Sequence, residues 1–342
     1  MKSNRPYKSA GVCFIIIMIL MMLNGCDYKM STMGYPQRIF VVADSLLWED
    51  VQDDVLETFE SILYTPHVEQ SFFLEWIPLS RLNEYKTRMN VFLIGVDNEK
   101  NPTNDYISKI LPENFKQDVR ENKYFYFFKD DLFARDQISL IMYAKDRSAL
   151  KNNFAARKNE IFDTFNQKYF DRLKAGMYEK GEQVKIEKHL SEEFGWMVKV
   201  QHDYFVATED ISEKYVWLRR KDPDRWLSVW RVRGDSTLIN RDSMIKLRDR
   251  MTLKFYEGDH AIEEDTYITE TNFNGQRTKK LVGLWKNDSL LVGGPFRTYA
   301  VHSAIDSSLY MIDIAVMAPG KNKKPFLDQL EVMANTFKIV GK

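Results

Sequence analysis

From residue 38 onward the chain alternates between two hydrophobic periods. "RIFVVADS" is a compact apolar run of strand character. In the stretch after it, Leu47, Val51, Val55, Phe59 and Ile62 recur at helical spacing, with Ser45 placed to cap the start and Glu49 and Asp50 in the first turn. "SFFLEWI" and "MNVFLIGV" read as strands, and "KYFYFFKDDLF" and "QISLIMYAKD" as two more. A long helix follows from about Asp146, its buried stripe marked by Leu150, Phe154, Ile161, Phe165, Tyr169 and Leu173, ending near Gly176. Strands alternating with helices make this first half a mixed α/β layer domain.

The texture changes after "GMYEKGEQ" (176–183), a glycine-containing charged linker. The short helix "EKHLSEEFG" leads into "WMVKVQHDYFVAT". "KYVWLRR" and "RWLSVWRVR" flank the turn "KDPD", which has Pro223 between two aspartates. A helix is predicted over 241–253, then the strands "TYITETNF", "KKLVGLW", "SLLVGG", "FRTYAVHS" and "LYMIDIAVMAP". The chain closes on the helix "KPFLDQLEVMANTF", with Pro325 in its first turn. The expected fold is α+β: an N-terminal α/β domain over 38–180, then an antiparallel sheet packed against helices over 184–342.

The first 37 residues follow neither period. "MKSNRPYKS" carries Lys2, Arg5 and Lys8 and no acid, and residues 10–23 form an unbroken run of 14 apolar residues. A membrane-spanning helix needs about 20, so the run has the length of a signal-peptide core. It ends in Leu23-Asn24-Gly25-Cys26. This stretch resembles the lipobox of bacterial lipoproteins, with Leu23 and Gly25 as usual there and Asn24 a departure. The resemblance implies cleavage after residue 25 and acylation of Cys26. Two or three acyl chains give stable anchoring, where one is marginal. Residues 26–37 then form a short tether.

Composition changes the picture only after that cut. Loss of residues 1–25 removes three cations and leaves 46 basic against 49 acidic residues, a formal net of −3. That balance argues against nucleic acid. Cys13 leaves with the signal and Cys26 is taken by lipid, so thiol catalysis, thiolate metal sites and disulfides are excluded together.

Few motifs bear on chemistry. "HLSEE" (189–193) lacks the second histidine of a zinc-binding helix. "EGDHAIEED" (257–265) gathers five carboxylates and His260 without the spacing of a calcium loop. "RGDST" (233–237) resembles the start of some esterases. None of His67, His189, His202, His260 and His302 has an aspartate three residues before it, as that chemistry would require. "VGGPF" is too short for a phosphate cradle, and a tight turn accounts for Gly293 and Gly294. No catalytic residue, metal site or cofactor is expected.

One stretch has binding character. "YVWLRRKDPDRWLSVWRVR" interleaves tryptophans with arginines. Strand alternation pairs Trp217 with Arg219, and Arg231 with Arg233. An arginine beside an indole can stack on sugar rings or reach anionic groups.

"YVWLRR", "NRDSMIKLRD", "VGLWKNDSLLVGGPF" and "KKPFLDQLEVMANTFK" resemble the blocks of domain of unknown function 4837, a family of Bacteroidota lipoproteins. "RMNVFLIGV" resembles that family's arginine-asparagine strand with Met89 inserted, so the resemblance is expected to cover most of the chain beyond Cys26. It implies an envelope location and supplies no catalytic residue. The closing strands, "AP" turn and helix are similar to the Mog1/PsbP-like sandwich. The resulting expectation is a lipid-anchored, non-enzymatic interaction or structural module of the cell envelope, at the outer membrane. Its partners would be the membrane through Cys26 and an envelope protein or glycan. The alternative is a lipoprotein that binds a glycan or lipid headgroup through Trp217, Arg219, Arg231 and Arg233.

Overall fold

The computed structural model describes residues 29–303 and 305–340. The stretch expected to be a signal peptide, Cys26 and the first residues of the expected tether lie outside the described residues. The chain forms two compact units. One holds residues up to Asp54 together with Leu74–Arg157, and the other holds Val55–Phe73 together with Lys158–Lys342.

The first unit is built on β1 (Arg38–Val42), β4 (Phe73–Ile77), β5 (Asn90–Val96), β6 (Tyr126–Asp130) and β7 (Ile138–Ala144). They form a five-stranded sheet in the order β4-β1-β5-β7-β6. β1, β5 and β7 run parallel, with Val41 opposite Phe92 and Phe92 opposite Leu140, and β6 is antiparallel to β7. β5 and β7 are buried at every position, as parallel strands covered on both faces must be. The helix after β1, α1 (Ser45–Phe59), starts one residue earlier than its capping pattern suggested. Asp44, not Ser45, is the cap, its carboxylate accepting from Leu46 N at 3.1 Å.

Between β4 and β6 stand α2 (Leu82–Tyr85), α3 (Pro102–Ile110) and α4 (Glu113–Arg120), which the hydrophobic pattern did not announce. Ile107, Leu111 and Val119 join Phe40, Val42, Leu93 and Ile141 in one core. α5 (Arg147–Tyr178) is the predicted long helix, and its residues divide between the two units.

In the second unit, the hairpin β2 (Ile62–Tyr64) and β3 (Val68–Gln70) leads to Phe72. That ring packs with Phe59, Phe162, Phe165 and Tyr169 at centroid distances of 5.7–6.4 Å. After α6 (Val184–His189) the chain makes a π-helical turn over Leu190–Phe194, which Gly195 ends at φ 75°. β8 (Trp196–Met197) then precedes a long sheet run.

The sheet strands are β9 (Phe205–Asp210), β10 (Tyr215–Arg220), β11 (Asp224–Arg233), β12 (His260–Ala261), β13 (Tyr267–Phe273), β14 (Gln276–Asn287), β15 (Val292–Ser303) and β16 (Ser308–Met317). The order is β12-β14-β15-β16-β11-β10-β9, with β13 also on β14, and neighbouring strands run antiparallel throughout. α7 (Arg241–Phe255) is capped by the Asn240 side chain, which accepts from Ser243 N at 3.0 Å. α8 (Lys324–Ala334) and β17 (Lys338–Ile339) close the chain.

Helices cover both faces of this sheet. Leu327, Leu330 and Met333 of α8 pack with Val216, Leu227, Val229, Ile312 and Ile314. Met244, Ile245 and Met251 of α7 pack with Tyr215, Trp226, Trp230, Met311 and Ala315 on the other face.

A further difference concerns "SLLVGG" and "FRTYAVHS": Val292–Ser303 is one continuous strand, β15, and Ser289, Leu290 and Leu291 lie in the turn before it. Gly293 and Gly294 sit inside it, opposite Lys286 and Trp285, and not in a turn. A Cβ on Gly294 would lie 1.9 Å from the Val316 carbonyl oxygen, so close backbone approach is what requires the glycine.

Candidate functional site

The hairpin β10–β11 places the four residues singled out for binding on two faces. Trp217 is opposite Ser228 and Arg219 opposite Trp226, so both look toward the α7 side with Trp230. Arg231 and Arg233 alternate to the other face, with Leu227 and Val229. Trp217 packs on Tyr256 at 4.7 Å and Trp226 at 6.1 Å. The Arg219 guanidinium lies 5.1 Å from the Trp217 ring and grips Asp224 with two nitrogens, one at 2.7 Å, which raises its pKa. Arg231 pairs with Asp306 at 3.2 Å, and Arg233 is exposed. Trp217 with Arg219 is a contact the structure makes. The four residues together are not one surface, because side-chain direction alternates along β11.

The other motifs settle as local features. His189 Nε2 stands 2.8 Å from Glu209. Asp259 is buried, accepts from Asn287 Nδ2 at 2.8 Å, and burial pushes its carboxyl up to about 6. Among the described residues no three His, Asp or Glu side chains gather as a metal site.

A cavity lined largely by polar groups lies elsewhere in the second unit. It has a volume of about 360 Å³. Gln167, Phe170, Asp171 and Lys174 form one wall, spaced so that a single face of α5 presents all four. Thr271 and Asn272 of β13 form another, and Asn335 and Thr336 close the far end. The floor is Lys280, Tyr299 and Glu331. Lys280 and Tyr299 are register partners on β14 and β15, and therefore share a face.

Glu331 reaches that floor from α8. Its Oε1 accepts from the Tyr299 hydroxyl at 2.5 Å and lies 3.4 Å from Lys280 Nζ, while Oε2 is 2.8 Å from Arg297 Nη1. Burial by itself would raise this carboxyl. Arg297 first, then Lys280 and the Tyr299 hydroxyl, outweigh it and hold the group down to about 2. Burial likewise works against the Arg297 charge, and Glu331 more than restores it. Tyr299 is pushed well above the ordinary phenol range by burial and then by Glu331.

One helical turn back, Asp328 accepts from Tyr169 at 2.7 Å and pairs with Lys324 at 2.5 Å. The start of α8 is tied down by Glu69, which accepts from Lys323 N at 2.7 Å and Lys324 N at 3.0 Å, and from Thr65 at 2.7 Å. The floor is thus an ionic cluster in which Arg297 and Lys280 hold Glu331 ionised. The rim adds exposed amides, a carboxylate and an ammonium: Gln167, Asn272, Asn335, Asp171 and Lys174. Beside them stands half-buried Phe170. Such a groove presents donors and acceptors of both kinds to a polar ligand.

Sequence reasoning missed this groove because its floor is assembled from residues 280 to 331 on three elements. One signal was present. Lys324, Asp328, Glu331 and Asn335 form a polar stripe along α8 beside the apolar stripe of Leu327, Leu330 and Ala334.

Residues 183–336 match the family described as Domain of unknown function (DUF4837), which bears out the resemblance carried by the C-terminal blocks. The match is shorter than expected. Residues 32–178, including Arg88–Val96, match a separate family, Domain of unknown function (DUF8532). No curated protein matches the chain. Among solved structures it is similar to LpqN, involved in cell envelope biogenesis of Mycobacterium tuberculosis. That likeness has 14% identity over 43% of this chain and 83% of that one, at a TM-score of 0.28. It is also similar to the Saccharomyces cerevisiae Ran-binding protein Mog1p, with 12% identity over 43% of this chain and 90% of that one, at a TM-score of 0.30. No helix among the described residues is long and apolar enough to cross a membrane.

Proposed function

We propose that this chain is a lipid-anchored cell-envelope protein, held at the outer membrane, that works as a non-enzymatic interaction module. The observation that carries the reading is the 14-residue apolar run ending on Leu23-Asn24-Gly25-Cys26. Its length suits a signal core, and the cysteine follows at the position where lipoproteins are acylated. The absence of catalysis is supported by the groove's ionisable groups. Glu331, Arg297 and Tyr299 are locked to one another, and none of the three is poised to exchange a proton near neutral pH. Cys26→Ser should leave an unprocessed precursor without lipid. Normal processing and metabolic acyl labelling of that variant would end the reading. Cross-linking in intact membranes should then capture an envelope protein.

A second reading, ligand binding, is favoured by the groove more than by the hairpin. An envelope glycan has the alternating donors and acceptors that Asn272, Asn335, Gln167 and Lys280 would meet, and Phe170 offers a ring face. Calorimetric titration with purified envelope glycans tests it. Asn272→Ala should weaken binding about tenfold, roughly 1.4 kcal/mol, while Trp217→Ala leaves it unchanged. The reverse pattern returns the site to the hairpin, and no heat with any glycan removes this reading.

A further inference from the structure

The segment read from sequence as a tether is already fastened to the first unit from Lys29 onward. Met33 N donates to the Thr87 carbonyl at 2.8 Å, Thr32 N to the Arg135 carbonyl at 3.0 Å, and Arg135 N to the Met30 carbonyl at 2.8 Å. Ser31 and Met33 form parallel bridges with Arg135 and Arg88. Side chains add to this. Lys29 Nζ donates to the Asp131 carbonyl at 2.6 Å, Arg135 Nη2 to Ser31 Oγ at 2.6 Å, and Asn90 Nδ2 to the Pro36 carbonyl at 2.8 Å. Few residues of the stretch are left as free linker.

Only Asp27 and Tyr28 separate Cys26 from Lys29. Three Cα–Cα steps, fully extended, span at most about 11 Å. An acylated Cys26 holds its α-carbon at the headgroup level of the bilayer. Lys29 then lies within that distance of the headgroups, and the strand ends it is bonded to come with it. The same segment exposes Met30, Met33 and Tyr35, at 61%, 53% and 77% of their full surface. Tyrosine is enriched at the membrane–water boundary, and exposed apolar side chains gain by entering it.

We infer that the edge of the first unit formed by Lys29–Tyr35, Thr87–Arg88 and Asp131–Arg135 lies flat against the phospholipid headgroup layer. This inference rests on the anchoring of Cys26. It adds to that reading an orientation: the amino ends of β1, β5 and β7 face the membrane. Their carboxyl ends, six residues further along β5, point away from it by roughly 20 Å.

The test uses the full-length protein, processed in cells, purified in detergent and placed in vesicles of phosphatidylethanolamine and phosphatidylglycerol. Single cysteines are introduced by Met33→Cys and Tyr35→Cys on the proposed face, and by Lys100→Cys at the opposite end of β5. Each is labelled with an environment-sensitive fluorophore and quenched with spin-labelled headgroup lipid. Acyl mass on Cys26 and co-sedimentation with vesicles are measured on the same samples. The expected result is an acylated, vesicle-bound protein quenched several-fold more at 33 and 35 than at 100. Inserting twelve Gly/Ser residues after Tyr28 should abolish that difference. An acylated, bound protein with equal quenching at all three positions overturns the orientation alone. A protein without acyl mass that stays off the vesicles overturns the orientation and the anchoring together.

Discussion

Arg297 and Thr298 are neighbours on β15 and look to opposite faces of the eight-stranded sheet, and each face holds a carboxylate that meets an arginine. On the α7 side, Asp313 accepts from Arg248 Nε at 2.9 Å and from Thr298 at 2.5 Å, and both charged side chains are 0% exposed. Arg248 also lies 3.8 Å over the Phe296 ring. Among the described residues, Asp313 Oδ2 and both Arg248 Nη atoms have no hydrogen-bond partner. On the α8 side, Glu331 has Arg297, Lys280 and Tyr299 around it and remains 12% exposed. The two carboxyls shift in opposite directions. Burial raises Asp313 in spite of Arg248, whereas three partners outweigh burial at Glu331 and hold it at about 2. One cation does not offset full desolvation; two cations and a hydroxyl at a partly open site do. The sealed pair therefore serves as architecture, while the open cluster keeps charged groups at the floor of a groove.

The largest expected effect tests the sealed side. Asp313→Ala leaves Arg248 buried without its hydrogen-bonded carboxylate, with Asp249 still 3.7 Å away, and should cost about 3–5 kcal/mol in urea unfolding. Next is Glu331→Gln, which keeps the shape and an acceptor for Tyr299 and removes the charge. It should cost about 1.5–3 kcal/mol at pH 7, the range for hydrogen bonds to charged groups. A loss equal to that of Asp313→Ala would erase the distinction between the faces. The pH dependence sharpens it. Glu331 falls from an ordinary 4.5 to about 2, so its contribution is complete above about pH 4.5 and is lost as pH drops toward 2. Glu331→Gln should flatten that acid limb.

Asp259, beside Asn287 on the sealed side, has the reverse sign. Its carboxyl rises from 3.8 to about 6, so its contribution is complete below pH 3.8 and is lost as pH climbs through about 6. Between those limits it should lower stability by at most about 1.4 kcal/mol per pH unit. Asp259→Asn retains an acceptor for Asn287 and should remove the slope, as read from urea midpoints between pH 4 and 7. An unchanged slope would remove Asp259 as its source.

What the sequence revealed about these two faces follows from the range of each signal. Continuous apolar runs such as "LYMIDIAV" and helical stripes such as Leu150 to Leu173 are set by local burial, and those elements stand where the pattern put them. α3 and α4 went unseen because they are short and polar, with only a few buried residues each. Gly293 and Gly294 resembled a turn because a missing Cβ marks close approach of any kind, and the neighbours here are the carbonyls of Trp285 and Val316 on the two flanking strands. Trp217 and Arg219 were legible as a contact at separation two. The Arg231 and Arg233 side of the hairpin required the register to place. The groove required more. Lys280, Arg297, Tyr299 and Glu331 meet only after three elements pack, and no local period encodes that.

The smallest effect bears on the boundary between architecture and binding. Lys280 stands on the floor of the groove with 22% of its side chain exposed, 3.4 Å from Glu331 and opposite Tyr299. Lys280→Met keeps most of the apolar stem that covers the floor and deletes only the charge. A partly exposed ion pair of this length is worth under about 1 kcal/mol, so unfolding at pH 7 should change little. Two other readouts should move. Lys280 is second to Arg297 among the groups that hold Glu331 down, so its removal raises that carboxyl and the acid loss of stability should begin at higher pH. Glycan binding, if the groove is the site, should fall while the fold stands. A stability loss approaching that of Asp313→Ala would make Lys280 part of the architecture, and the open face would then differ from the sealed one only in exposure.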